Sequence, residues 1–400
     1  MRHEYIRFNN NNIAPKGAKS IGVYEVVDGN TRNFVGNIPI DKISHPDING
    51  DDYLYSFGIV SDTHLSGDSY TNYTDLENRD PATAGTKLSS SGMYAGTKLR
   101  KTLEYMKNNY VKDINFCCSA GDATSTGLYI KDTTNLTNQF LEYKDIIDQV
   151  GIEMYTACGN HESYNGDIDE AKLQEYTGHG LMFSITKGND VFIFIGQPSQ
   201  GIAMRSAHLK QAQTILEANK TKRCFVFIHS YFEGDSGDPG DYRTNSIFYH
   251  YELKYTFPIG VVFKQIMSHY KNAIVFHGHS HMKFDHQEKY QNIATYNKSI
   301  YTDANGFKSV HVPSLYSPRD IDEDADYMTP EDIKGGQGYI VDVYKDYIVL
   351  NGYDFINLDG NNNPVFNPKP NPLGTFKIDT TFDPIGTFDT NILIPLNHLK

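Results

Sequence analysis

Five short polar motifs interrupt the apolar runs of this chain: Asp62-Thr63-His64, Gly121-Asp122, Gly159-Asn160-His161-Glu162, the lone His229, and His277-Gly278-His279-Ser280-His281. Their donors are two carboxylates, an amide oxygen and several imidazoles. That mixture of oxygen and nitrogen suits manganese, zinc or iron rather than calcium, which takes oxygen ligands. Alternation along an extended segment places Asp62 and His64 on one side, and His279 and His281 likewise. Asp122 is central enough in the order to bridge two cations through its two oxygens, and the glycines at 121, 159 and 278 permit tight turns beside them.

These motifs need elements that bring residues from 62 to 281 to one place. Tyr55 to Val60, Ile114 to Cys118, Ile152 to Ala157, Val191 to Ile195, Phe225 to Ile228 and Ala273 to Phe276 read as strands. Between them, Leu99, Leu103, Met106 and Tyr110 recur at helical spacing, as do Phe140, Tyr143, Ile147 and Val150. Further helices run from Ser206, as N-cap, through Leu209, Ala212 and Leu216, and through Val262, Ile266 and Met267. Alternating strands and helices predict an α/β domain. Each motif follows a strand, and sites in open α/β sheets form beyond the carboxyl ends of strands. A hairpin over Tyr339 to Val343 and Tyr347 to Leu350 closes the domain.

The formal charge of −13 argues against a basic groove for long duplex nucleic acid. It is compatible with a phosphate substrate, because bound dications are large local charges. No stretch approaches the roughly 20 apolar residues of a membrane span. Met1 to Tyr5 lack an apolar segment behind them, so the expectation is no cleaved secretory signal and a cytoplasmic or virion-associated protein. Four cysteines without a CxxC pair read as reduced core residues.

The five motifs, in this order, resemble the calcineurin-like metallophosphoesterase family, whose pattern is D-x-H, G-D, G-N-H-[DE], a lone H after a strand, and G-H-x-H. The resemblance covers positions 57 to 281. It implies a β-sandwich core flanked by helices, and hydrolysis of a phosphoester with two divalent cations, manganese favoured over zinc or iron. By position it implies that Asp62, His64 and His281 hold one cation, that Asn160, His229 and His279 hold the other, and that Asp122 bridges. The resemblance further implies that His161 does not ligate but contacts the phosphate and assists the leaving group, with Glu162 supporting it; His277, just before the last motif, is read as a residue behind the ligands or in the core. Two departures bear on substrate shape: a polar insertion from Ser66 to Ala95, and Ser230-Tyr231 after His229, where many relatives carry proline two residues on. Tyr231, Arg205 and Arg243 are the expected substrate contacts.

Three regions are expected: a small β-rich N-terminal module over 1–48, the catalytic domain over 53–355, and a Pro/Asn-rich extended C-terminal arm over 359–400. The outer two loosely resemble pieces flanking phosphoesterase domains in phage tail and prophage proteins. That resemblance implies a phage tail assembly and a cell-surface phosphodiester polymer, such as teichoic acid, as substrate. A phosphodiesterase is the leading expectation. A metal-dependent nuclease and a structural or binding protein with a vestigial site stand beside it.

Overall fold

The computed structural model describes residues 20–28, 31–39, 52–66, 80–86, 95–125, 133–162, 168–198, 204–231, 258–284, 299–302, 306–318, 335–358 and 364–382. In chain order, the hairpin β1 (Ser20–Asp28) and β2 (Thr31–Pro39) precedes β3 (Tyr53–Val60), α1 (Ala95–Asn108), β4 (Ile114–Ser119), α2 (Thr133–Val150) and β5 (Glu153–Thr156). Then come α3 (Glu170–Thr177), β6 (Met182–Lys187), β7 (Asp190–Ile195), α4 (Ser206–Ala218), β8 (Cys224–Phe227), α5 (Pro258–His269) and β9 (Ala273–His277). The strands β10 (Ile300–Thr302), β11 (Lys308–His311), β12 (Gln337–Tyr344), β13 (Tyr347–Leu358) and β14 (Pro364–Asp379) complete it.

Two six-stranded mixed sheets result, in the orders β10-β11-β9-β8-β7-β6 and β14-β13-β12-β3-β4-β5. Within the first, β7, β8, β9 and β11 run parallel. Within the second, β3, β4 and β5 run parallel while β12 and β13 return antiparallel. The inner strands β7, β8, β9 and β12 are buried on both faces, which explains why they read as continuous apolar runs, while the edge strand β6 alternates toward solvent.

The sheets stack through phenylalanine. Phe57 and Phe116 of one sheet meet Phe192 and Phe225 of the other in a single core, with Phe57 5.2 Å from Phe192 in an edge-to-face pair. Residues on the opposite face of each strand pack under helices. Val60 and Cys117 meet Leu99, Leu103 and Tyr143 of α1 and α2. Ile193 and Val226 meet Leu209, Leu216 and Ile266 of α4 and α5. Burying each such side chain contributes about 1.5–3 kcal/mol, so these layers form a rigid platform. At one end of the sandwich, Arg223 donates to Asp190 at 2.7 Å and to the carbonyl of Tyr344 at 2.8 Å, and Tyr55 donates to Asp190 at 2.6 Å. That buried network ties the two sheets together.

The C-terminal region, expected to be an extended arm with short β pieces, forms one long strand over Pro364–Asp379. The segment expected to be an arm beyond 359 supplies β14, which pairs antiparallel with β13 from Leu358↔Pro364 to Tyr347↔Asp379. Its prolines are tolerated because β14 is the edge of its sheet, where a missing N–H breaks no further ladder. Another difference lies at α4: Arg205, not Ser206, is the N-cap, and its side chain makes no cap hydrogen bond.

Candidate metal centre

Every motif sits where a parallel strand ends: Asp62 and His64 after β3, Asp122 after β4, Asn160 and His161 after β5, His229 after β8, and His279 and His281 after β9. The two sheets present these ends to a common point. The loops there are held by main-chain bonds across strands, as in Asp62 N–H to the Gly121 carbonyl (3.0 Å) and Gly278 N–H to the His229 carbonyl (3.1 Å).

The local backbone is unusual. Among the described residues, the non-glycine positions with positive φ are Asp62 (50°), His64 (46°), Asp122 (50°), His279 (73°) and His281 (59°). Left-handed backbone at five such residues costs energy, and it persists where surrounding structure over-determines it. Alternation along an extended strand is therefore not what aligns Asp62 with His64, or His279 with His281. Consecutive tight loops do so. Gly121 has φ 113°, and a Cβ there would press on the His229 ring. Gly159 and Gly278 lack positive φ. They are required for close approach, since a Cβ would collide with the carboxylates of Asp122 and Asp62 respectively.

The donor atoms fall into two adjoining groups joined by a third, His64, Asp122 and His161, which shares a member with each. Asp62, His64 and His281 form one, and Asp122, His229 and His279 the other, with the ligating atoms of each group within 4.8 Å of one another. In the first, His281 Nε2 lies 3.0 Å from His64 Nε2 and 3.2 Å from Asp62 Oδ1. In the second, His229 Nε2 lies 3.0 Å from Asp122 Oδ2, 3.0 Å from Asn160 Oδ1 and 3.2 Å from His279 Nδ1. Asp122 Oδ2 also lies 3.8 Å from His64 Nε2, so it faces both groups. All seven side chains are buried, His64 being the most exposed at 6%.

Tautomers make these distances informative. His229 Nδ1 donates to the Ala120 carbonyl at 2.9 Å, and His281 Nδ1 contacts the Ser317 carbonyl (3.3 Å) and hydroxyl (3.0 Å). A carbonyl only accepts, so Nδ1 carries the hydrogen in both rings and, when neutral, Nε2 carries a lone pair. Nε2 of each ring points at a carboxylate oxygen. Burial by itself would push Asp62 up, but His281, His229 and His64 hold it well below the usual carboxylate range. Asp122 is lowered in the same way, chiefly by His229 and His161 against burial. In the metal-free protein a proton on His229 bridges its approach to Asp122, and a divalent cation can take that proton's place among the same donors. Donors about 2.0–2.2 Å from one cation stand roughly 3.0–3.5 Å from each other, and the separations above match that spacing. The residues fit divalent metal.

Protons answer the same field when metal is absent. Burial opposes charge on His229, but Asp122 outweighs it and raises this imidazole to about 9. Burial, then the charge of His229, lowers His279 to about 3, and burial with His161 and His281 lowers His64 well below its ordinary value.

His161 is placed differently. Its Nδ1 donates to the Ser125 carbonyl at 2.5 Å, its Nε2 lies 4.0 Å from Asp122 Oδ2, and its side chain is 29% exposed. Its main-chain N–H donates to Asp122 Oδ1 at 2.9 Å, anchoring that carboxylate. Glu162 accepts from the N–H groups of Gly159 (2.6 Å), Thr124 (2.8 Å) and Asp122 (3.1 Å). Its support of His161 thus runs through the backbone around Asp122. Burial and the neighbouring Asp122 raise the Glu162 carboxyl.

The other expected positions divide. His277 is buried behind the ligands, its ring 5.5 Å from that of His311. Tyr231, expected at the substrate, is buried and lies over the His279 ring at 5.8 Å, backing a ligand. Arg205 pairs with Glu170 at 2.5 Å on an exposed surface. Arg243 lies outside the described residues, as does most of the 66–95 insertion. Two contributors escaped the sequence reading. Ser317 meets His281, and Ser280, between two ligands, meets His311 Nε2 at 2.9 Å. Serine between G-H and H was a visible signal for the second, but nothing local marked Ser317.

Residues 55–283 match the calcineurin-like phosphoesterase family. This chain belongs to that family of metal-dependent phosphoester hydrolases, in agreement with the sandwich and with the two Asp/His groups at its strand ends. In shape it is similar to vacuolar protein sorting 29 from Cryptosporidium parvum, with 11% identity over 82% of this chain and 100% of that one and a TM-score of 0.34. It is also similar to a 5'-nucleotidase precursor from Thermus thermophilus, with 11% identity over 81% of this chain and 53% of that one and a TM-score of 0.34. GAP50 of Plasmodium is similar at 10% identity, over 81% of this chain and 88% of that one, with a TM-score of 0.40. No curated protein sequence matches it.

Proposed function

We propose that the chain is a two-metal phosphodiesterase, with Asp62, His64 and His281 holding one cation, Asn160, His229 and His279 the other, and Asp122 bridging them. The observation that carries this reading is the convergence of His229 Nε2 on Asp122 Oδ2 at 3.0 Å and of His281 Nε2 on Asp62 Oδ1 at 3.2 Å, at the ends of strands from both sheets. Bound there, two divalent cations supply a water nucleophile near neutral pH and neutralise charge developing on phosphoryl oxygens. The mixed donor set favours manganese, with zinc and iron next.

His161 carries the proton chemistry in this reading. Its partial exposure sets it apart from the seven buried donors, so it can meet a substrate. The Ser125 carbonyl fixes its ring, and its Nε2 faces Asp122 across 4.0 Å. A proton on Nε2 then passes to the departing oxygen.

The test is hydrolysis of bis(p-nitrophenyl) phosphate against p-nitrophenyl phosphate by manganese-loaded protein. A higher kcat/KM on the diester supports the reading, and a clear monoester preference overturns its substrate half. Release of glycerol phosphate from purified wall polymer, compared with cleavage of short single-stranded DNA, separates a cell-surface polymer from a nucleic acid.

A further inference from the structure

Lys98 lies on α1, on a face that otherwise packs apolar side chains, and is fully buried. Its ammonium donates to the main-chain carbonyls of Tyr316 at 2.5 Å and Gly335 at 2.6 Å, and sits 5.6 Å from the centre of the Tyr316 ring. A methionine or leucine would fill such a place without burying a charge, so the ammonium must do something that packing does not. What it grips is the loop after β11.

That loop touches the first metal group at every step. Leu315 N–H donates to the Ser61 carbonyl at 2.9 Å and Tyr316 N–H to the Asp62 carbonyl at 3.1 Å. Ser314 Oγ donates to the same Asp62 carbonyl at 3.1 Å and accepts from Ser317 N–H at 2.9 Å. The Tyr316 ring lies 5.5 Å from the His64 ring, and Ser317 holds Nδ1 of His281. All three donors of this group, Asp62, His64 and His281, therefore lean on residues 314–317. In the second group Asp122 and His229 lean elsewhere, on Glu162 and on the Ala120 carbonyl, while the main-chain N–H of His279 donates to the Asp62 carboxylate.

We propose that Lys98 is a positioning residue for the cation held by Asp62, His64 and His281, acting through the loop 314–317 and not on the other cation. The proposal rests on the two-metal reading above. Its ammonium replaces water as donor to two buried carbonyls, and so fixes the loop in the one arrangement that aims His281 Nε2 and supports the left-handed backbone at Asp62. The depressed basicity of this lysine, to about 7 under burial with Asp354 opposing, fits a group kept dry for that purpose.

The experiment is calorimetric titration of manganese(II) into the metal-stripped full chain, wild type against Lys98→Met, with Ser317→Ala as a second variant that removes only the hydroxyl at His281. Near-ultraviolet circular dichroism confirms folding of each. The expected result is a loss of about 10–100-fold in affinity for one manganese in both variants, with the other unchanged within about threefold. Equal affinities in wild type and variants overturn the role of Lys98 and leave the two-metal reading standing. Equal weakening of both sites also overturns it, as that is a general loss of structure. No manganese uptake by wild type overturns the two-metal reading itself, and this proposal with it.

Discussion

Asp122 Oδ2 stands 3.0 Å from His229 Nε2 and 3.8 Å from His64 Nε2, so one carboxylate oxygen faces both groups of donors. Its partner oxygen is held by the His161 N–H, and the backbone on either side is pinned by Glu162. Asp62 Oδ1 also lies near both groups, 3.2 Å from His281 Nε2 and 4.0 Å from His229 Nε2, but its carboxylate accepts from the His279 N–H and not from the loop that carries His161. Asp122→Ala is expected to abolish both manganese uptake at the second site and turnover, with the secondary structure retained. Wild-type turnover by the purified variant would contradict the assignment.

Metal binding at His229 must displace a proton. In the metal-free protein this imidazole is raised to about 9, so at pH 7 it is charged. Manganese affinity therefore rises with pH up to about 9, and close to one proton leaves this histidine for each cation bound beside it at pH 7. Titration calorimetry in two buffers of different ionisation enthalpy reads that number. No proton release would show that His229 is already neutral.

The acid side follows from the opposite shifts. His279, lowered to about 3, and His64, lowered well below its usual value, are neutral in the folded protein while the unfolded chain protonates near 6.5. Stability from these groups is present above pH 6.5 and is lost as pH falls toward their folded values. His229 and Glu162, both raised, oppose this loss, while His277, lowered by burial, adds to it. The metal-free protein should lose roughly 1–3 kcal/mol between pH 7 and pH 5, read from urea unfolding midpoints. Equal midpoints would contradict the buried neutral histidines.

Close approach at Gly159 gives a sharper test of geometry. A Cβ there must push the Asp122 carboxylate aside. Gly159→Ala should lower turnover by about a hundredfold, the cost of displacing a reacting group by roughly an ångström, together with a loss of thermal stability, because the Cβ also meets the Asp122 main-chain nitrogen. Unchanged kcat would mean that the position of Asp122 is not critical.

Stability and function separate at the Arg223–Asp190 pair. Asp190→Ala leaves Arg223 buried without its carboxylate and should cost about 3–5 kcal/mol. The manganese count of the folded protein should not change. Reduced metal binding in folded protein would show that the clamp between the sheets also sets the centre.

Much of the centre was legible because strand-end motifs announce themselves: an apolar run stops, and Asp, Asn or His follows. The geometry beneath was not. Asp62 and His64 align through left-handed backbone that neighbouring loops impose, where sequence spacing suggested an extended strand. Lys98 and Ser317 gain meaning only from partners 218 and 36 residues away, Tyr316 and His281. Edge elements were hidden for a different reason. The prolines of β14 look like a linker until the sheet edge is known, and the short β10 and β11 carry too few residues to show alternation. Arg205 and Tyr231 were assigned by residue type, and packing sent one to Glu170 and the other under His279.

The central claim, that these seven donors hold two cations, is tested most directly by native mass spectrometry of metal-stripped protein reconstituted with manganese. The account predicts about two manganese ions per chain, falling to one or none in His229→Ala. A wild-type chain that holds one ion, or none, would contradict it.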